Sequence, residues 1–270
     1  MKMLENSKFL NLIGLNVKIL MSKRLAHINS EGHPPEWLLK SPSHFYVLEA
    51  SRKANKVTNS IDYAKSLIKQ IENPPSEEWL SDVGLSKNKF IQQNIDLFSV
   101  VLFSSLDRSL LLANLLMDIG KAEKEVTYRK VIKSIEKINP AIAEILSELY
   151  KETESLADHR NYFSHRGLNR KTGRFSSVHR LKVITQLFNI PMENVKLLES
   201  EAESDLVEML CKEVSNIEPV LLRFLEAVAV YYIEGLNKLG GLDVPSEEEL
   251  ERAQLATEYF SGGAKPEFMA

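Results

Sequence analysis

The segment from Lys87 to Ile119 restricts the fold of this chain more than any other stretch. Apolar and small residues recur there at alternating steps of four and three, the spacing of a helix face packed in a bundle. These positions are Ile91, Ile95, Phe98, Leu102, Ser105, Ser109, Leu112 and Leu116, and leucines 106, 110, 111 and 115 make other faces apolar too. A helix that is apolar nearly all round must be covered on several sides. We therefore expect this helix at the centre of a multi-helix bundle.

Helical periodicity continues through the rest of the chain, and no long window alternates as a β-strand would. Further helices are predicted over about 8–28, 43–71, 127–138 and 140–163, with two segments across 200–239 that Pro219 kinks or separates. Ser76, Asn139 and Ser246 occupy N-cap positions, the last before a short final helix. On 43–71 the apolar side is assigned to Phe45, Leu48, Ile61, Ala64, Leu67, Ile68 and Ile71. The fold class is predicted to be all-α.

No internal repeat and no sharp change of composition divides the chain. We therefore expect a single helical domain over residues 1–270. Within it, residues 1–40 are interpreted as an N-terminal helical extension, about 41–240 as the bundle core, and 241–270 as a short helix with a flexible tail.

Charge and cysteine content exclude several classes of protein. With 34 basic and 37 acidic residues the formal net charge is −3, so any nucleic-acid contact must come from a local patch. The single cysteine, Cys211, rules out an internal disulfide, indicates a reducing compartment and is assigned to the core. Asp107 and Arg108 lie in the most apolar stretch, where each would cost about 2.5–3.5 kcal/mol in lipid. We read them as a paired polar spot, and expect a cytoplasmic protein without membrane association.

The stretch 158–167, Asp-His-Arg-Asn-Tyr-Phe-Ser-His-Arg-Gly, is the most informative for function. Arg160 continues the apolar stripe of its helix, five turns after Ile142. A guanidinium in that position is costly unless it is paired or lines a wet cleft. Asn161 and His165 are four residues apart and share a helix face, so the amide can orient the imidazole or share its ligand.

A basic flank follows this stretch. Residues 159–182 contain no Asp or Glu but seven cations, namely Arg160, Arg166, Arg170, Lys171, Arg174, Arg180 and Lys182. Such a run is usually a solvated loop, but the complete lack of acids favours contact with the phosphates of a nucleic acid. We assign this role to Arg166, Arg170, Lys171, Arg174 and Arg180.

The spacing of Arg160 and His165 poses a geometric problem. Five residues of straight helix turn the chain by about 500°, which leaves the two positions about 140° apart. They converge on one phosphate if the helix ends or distorts between them, or if a second subunit brings its own copy. Gly167 suits a helix that ends near His165.

Arg160, Asn161 and His165 match, in order, an Arg-polar-x-x-x-His motif that resembles the signature of the HEPN superfamily. The resemblance implies an all-α fold, here with a HEPN-like core over about 41–240, and frequent assembly into homodimers. It further implies metal-independent cleavage of RNA, with His165 as the acid–base group and Arg160 as the phosphate clamp, and no cofactor. Proteins that are similar include toxins and antiviral, abortive-infection effectors, so single-stranded RNA and an antitoxin are the partners it suggests. Some such toxins carry a modifiable Tyr where this chain has Gly167, so nucleotidylation there is not implied.

Other interpretations of the motif stay open. The chain could be a catalytically inactive HEPN-like module that binds RNA or a nucleotide, or a helical interaction protein. In the second case Arg160 would pair with an acid on a neighbouring helix, and His165 would be a helix-end histidine favoured by the dipole. His159 and His179 do not have a metal-ligand spacing with His165, so no metal site is expected.

Overall fold

The computed structural model describes residues 4, 7–31, 41–166, 175, 177–178, 181–182, 184 and 193–242, with the backbone alone for 25–31, 155, 157–166 and 193–194. Seven α-helices lie in these ranges: α1 Lys8–Glu31, α2 Pro42–Glu72, α3 Glu77–Asp82, α4 Lys87–Leu116, α5 Tyr128–Ile138, α6 Pro140–Arg166 and α7 Glu193–Lys238. The described residues contain one 3-10 turn, Glu123–Glu125, and no strand. The all-α prediction is confirmed, while the predicted short helix from Ser246 lies outside the described residues.

The central position of α4 is confirmed. All eight positions of its predicted seam are buried, and no residue from Phe98 to Leu116 is exposed. Helices α2, α5, α6 and α7 all contact it. Arg108, near its C-terminal end, donates from Nη1 to the Lys56 carbonyl at 2.8 Å and to Ser60 Oγ at 2.7 Å. These hydrogen bonds satisfy donors of the Arg108 guanidinium, which lies at the edge of an apolar helix. Its partial burial lowers the pKa of Arg108.

Side-chain contacts fix the directions of the long helices. Lys65 on α2 pairs with Glu218 on α7 at 2.7 Å, and the Tyr46 hydroxyl donates to the Tyr231 carbonyl at 3.4 Å, so α2 and α7 are antiparallel. Arg223 pairs with Glu148, while Asn139 donates to the Tyr231 hydroxyl, so α6 and α7 are antiparallel as well. The C-terminal end of α6 therefore lies toward the N-terminal half of α7.

The apolar side assigned to α2 was partly wrong. Phe45 and Leu48 are 68% and 45% exposed, and the buried side of this half of α2 passes through Tyr46, Val47, Ala50, Ala54 and Val57. Phe45 and Leu48 precede Ile61 by 16 and 13 residues, which places them about 140–160° away from it around the helix. The prediction grouped these residues because all are hydrophobic, although their angular positions put Phe45 and Leu48 on another side of the helix.

Two expectations for α7 were also wrong. Pro219 does not divide the segment, because one helix runs from Glu193 to Lys238 with the proline inside it. Ile217 and Val220 are buried on either side, and their packing holds both flanks in place although the proline removes a helical hydrogen bond. Cys211 is exposed, since it lies one residue, or about 100°, beyond the buried Leu210.

Helix α1 packs on an aromatic cluster at the end of the bundle where α2 begins. Tyr232 is fully buried there, stacked on Tyr46 at 5.7 Å between centroids and edge-on to Phe9 at 5.8 Å. Asn16 on α1 donates to the Tyr232 hydroxyl at 2.8 Å. Burial raises the pKa of Tyr232 and of Tyr46, so both remain protonated phenols. Gly235, one turn beyond Tyr232, gives the Tyr46 ring its space.

Gly235→Ala is expected to destabilise the protein. An added Cβ would lie 2.3 Å from the Tyr46 hydroxyl oxygen, and the ring cannot move freely because it is stacked on Tyr232. Overpacking should exceed the gain in helix propensity and leave a net loss of about 1–2 kcal/mol in the free energy of unfolding. Denaturant unfolding measures this loss.

Gly14→Ala on α1 is the matched control, because a Cβ there meets nothing within 4 Å. Helix propensity alone should make this variant more stable, by up to about 1 kcal/mol. Equal effects of the two substitutions would show that the Tyr46 ring does not limit the space at position 235.

Candidate active site

The helix that carries the motif has a well-defined start. Asn139 Oδ1 accepts hydrogen bonds from the backbone amides of Ala141 at 3.0 Å and Ile142 at 3.3 Å, as predicted for an N-cap. Pro140 occupies the first helical position. The Asn139 side chain also donates to the Tyr231 hydroxyl at 3.2 Å, which ties this cap to α7.

The apolar stripe predicted for α6 comprises Ile142, Ile145, Leu146, Leu149, Thr153 and Leu156. Ile145 is only half-buried, whereas the other five are at most 1% exposed. The Thr153 hydroxyl is satisfied within the helix by the Leu149 carbonyl at 2.8 Å. Position 160 follows Leu156 by four residues, and therefore continues the same line of the helix.

The motif lies on the last two turns of α6. The backbone is α-helical at every residue from Pro140 to Arg166, so the helix does not end between Arg160 and His165. The two positions are thus about 140° apart around the axis. Asn161 and His165 lie instead on one side of α6, within an arc of about 60° that also contains Ser147 and Tyr150. α5 contacts this side, because the Tyr128 hydroxyl bonds Ser147 and its ring stacks on Tyr150.

The basic flank is described only in part. Arg166 is the last residue of α6, while Arg170, Lys171, Arg174 and Arg180 lie outside the described residues. Phe175 and Val178, between these cations, are 6% and 5% exposed and belong to the hydrophobic core. The stretch is therefore tethered to the bundle at two points.

Lys182 forms an ion pair, which the interpretation of the flank as a solvated basic run did not include. Its Nζ lies 2.7 and 3.0 Å from the two carboxylate oxygens of Glu199 on α7. Lys182 and Glu199 are 17 positions apart in the chain, and no sequence pattern predicted that they would pair. The pair neutralises one of the seven cations of the flank.

A second ion pair lies toward this end of the bundle. Lys87, the first residue of α4, places Nζ 2.9 Å from Oε2 and 2.8 Å from Oε1 of Glu203 on α7. With the Lys182–Glu199 pair, two carboxylates in the N-terminal part of α7 therefore have lysine partners.

The described residues contain neither a metal-ligand cluster nor a membrane-spanning helix. No three His, Cys, Asp or Glu side chains of this part of the chain are grouped as metal ligands would be. None of the helices described is both long and apolar enough to cross a membrane.

Comparison with known proteins places the chain in a family. No curated protein and no solved structure matches it. The family model described as HEPN_Cthe2314-like HEPN matches residues 46–220, about two-thirds of the chain, and this range includes the whole motif and the basic flank. The fold agrees with the match, since HEPN domains are all-α. This chain therefore belongs to the HEPN_Cthe2314-like HEPN family.

Proposed function

We propose that this protein is a metal-independent endoribonuclease that acts as a homodimer, with His165 as the acid–base group and Arg160 as the phosphate clamp. The observation that carries the proposal is the position of the motif on α6. A helix whose stripe is buried from Ile142 to Leu156 continues without interruption to Arg166, and Arg160 is the next residue of that stripe. Family membership supports the same assignment, because the motif is the one expected for HEPN ribonucleases.

The helix geometry supports the proposed homodimer. Since α6 is helical through both positions, one protomer presents Arg160 and His165 about 140° apart. Two motifs related by a two-fold axis would bring the Arg160 of one copy and the His165 of the other to a shared cleft. Asn161, on the same side as His165, would orient the imidazole.

The chemistry is the attack of the ribose 2′-hydroxyl on its own 3′-phosphate. One imidazole takes the 2′-proton while the oxygen–phosphorus bond forms, and the other, as imidazolium, protonates the leaving 5′-oxygen. The products are a 2′,3′-cyclic phosphate and a 5′-hydroxyl. An imidazole with an ordinary pKa of about 6.5 suits both roles near neutral pH. The guanidinium forks of Arg160 bind the equatorial oxygens, where charge grows in the transition state.

The cellular role proposed is that of a toxin or antiviral effector acting on single-stranded RNA in the cytoplasm. Arg166, Arg170, Lys171, Arg174 and Arg180 would bind RNA phosphates beside the cleft and contribute affinity without base selection. An antitoxin that covers this cleft is the protein partner proposed.

His165→Ala is expected to abolish cleavage while the fold survives. Removal of the imidazole leaves neither the base nor the acid. Arg160→Ala should lose about 10²–10³-fold in rate, or about 3–4 kcal/mol, as when an oxyanion-hole donor is deleted. Arg160→Lys should restore this only in part, because a point charge cannot replace the bidentate fork. The assay follows total cellular RNA incubated with each protein in chelator, and detects cyclic phosphate ends.

Wild-type protein that leaves this RNA intact, and behaves as His165→Ala does, would contradict the ribonuclease proposal. An inactive HEPN-like module that binds RNA or a nucleotide would then take its place. Total RNA is used so that a single folded target is not missed.

Mixing two impaired proteins tests the shared cleft. Arg160→Ala and His165→Ala subunits, unfolded together and refolded, should form mixed dimers. Each mixed cleft keeps one Arg160 and one His165 from opposite subunits, and water replaces the missing imidazole in one of the two proton transfers. Cleavage in the mixture should therefore be weaker than in the wild type but should exceed the sum of the two variants alone, of which Arg160→Ala is slowed and His165→Ala is inactive. No recovery, in a mixture shown by mass to contain mixed dimers, would contradict the trans arrangement.

A further inference from the structure

Helix α5 is a short helix with an unusually basic outer side. Among its eleven residues it carries one acid, Glu136, and four cations, Arg129, Lys130, Lys133 and Lys137. All four cations are exposed, and helical geometry places them within an arc of about 100°. The fully buried Val131 and Ile135 lie on the opposite side of the helix. We call the four cations the α5 basic face.

The α5 basic face is held rigidly outward. Val131 and Ile135 anchor the helix in the core, and Tyr128 at its first position stacks on Tyr150 with 4.3 Å between ring centroids. The Tyr128 hydroxyl also bonds Ser147 at 2.9 Å. The backbone beneath the four cations is therefore fixed before a ligand binds, and only their side chains lose further freedom on binding.

No contact among the described residues accounts for this concentration of charge. Within the described part of the chain, none of the four cations has a carboxylate partner. Arg129 and Lys130 lie in the first turn, where the helix dipole disfavours cations. Arg129 and Lys133, and likewise Lys133 and Lys137, are like charges four residues apart, which repel each other. Lys137, in the last turn, is favoured by the dipole, but the other charges oppose formation of their own helix, and an external polyanion would relieve this repulsion.

The position of α5 relates this face to the motif. Ser147 and Tyr150, on which α5 packs, share one side of α6 with Asn161 and His165. His165 follows Tyr150 by 15 residues, or about 22 Å along the axis. The exposed Glu154 is on the same side between them.

We propose that the α5 basic face binds the phosphate backbone of the RNA strand whose scissile phosphate lies at the motif. The placement of that phosphate rests on the proposed function. The strand would leave His165 along this side of α6 and reach the first turn of α5, about 22 Å away. Cations four residues apart are spaced by about 6 Å along a helix, and their contacts with phosphates do not depend on base sequence. The complementarity is local, because the protein as a whole is acidic and α7 carries ten acids against four bases.

The test measures binding of fluorescent single-stranded RNA in the His165→Ala background, which keeps the RNA intact. One variant replaces Arg129, Lys130, Lys133 and Lys137 by Gln, a good helix former. The matched control replaces four exposed lysines elsewhere, Lys8, Lys18, Lys69 and Lys238, by Gln, which changes the net charge equally. Circular dichroism and thermal unfolding check that both variants fold, and the α5 variant should be at least as stable as its parent.

The α5 variant is expected to bind a long RNA, of about 40 nucleotides, at least tenfold more weakly near physiological salt. Four lost phosphate contacts should reduce the slope of log K against log salt by about 3. The control variant should bind as its parent does, and a dinucleotide, too short to span the distance of about 22 Å between the motif and α5, should bind all proteins alike. Glu154→Gln should strengthen binding of the long RNA, because it removes a negative charge from the path.

Equal binding by the α5 variant and the control, or weaker binding by Glu154→Gln, would overturn the proposal. So would a loss of binding to vesicles of anionic phospholipid with RNA binding unchanged, which would make α5 a lipid-binding surface. If RNA binding depends on α5 but the wild-type protein cleaves no RNA, the α5 face stands as an RNA-binding surface and the proposed ribonuclease fails. If cleavage depends on His165 but binding does not depend on α5, the ribonuclease stands and this inference fails.

Discussion

The burial of residues 98–116 of α4 on all sides is the constraint on which the rest of the structure depends. A helix with no exposed residue between Phe98 and Leu116 needs neighbours around its whole circumference. α2, α5, α6 and α7 supply them, and each must turn an apolar side inward to do so. The directions of these helices, and hence the end of the bundle at which α6 terminates, follow from this packing. The candidate site is thus placed by the core although it lies at one end of it.

α6 links the core to the proposed chemistry. Its cap at Asn139 fixes the start, its buried stripe fixes the rotation, and the helix continues to Arg166 at the motif end. A catalytic residue on a rigid helix can be positioned more accurately than one on a loop. The same straight helix separates the positions of Arg160 and His165 by about 140°, which is why the proposed mechanism takes the two residues from different protomers.

The parts of the chain outside the family match have a structural role of their own. α1 and the last turns of α7 meet at the cluster of Phe9, Tyr46 and Tyr232, and Ser7 binds Glu226 at 2.7 Å nearby. This cluster closes the end of the bundle opposite to the motif.

Charge is distributed unevenly over the bundle, since α7 is strongly acidic whereas α5 is basic. A protein of net charge −3 can therefore offer a local surface to a polyanion.

The sequence by itself determined the helical class, the central helix, the caps at Ser76 and Asn139, and the motif of Arg160, Asn161 and His165. These depend on local periodicity, on short-range hydrogen bonds and on residue types at fixed spacing, all of which are present in the chain before it folds. Only the tertiary structure decided that α7 continues through Pro219 and that Phe45 and Cys211 are exposed. It also decided that Lys182 forms an ion pair with Glu199. It also decided that α5 packs on the side of α6 that carries His165. These features depend on which helix surfaces meet, and residues far apart in the chain settle that only when the core is packed.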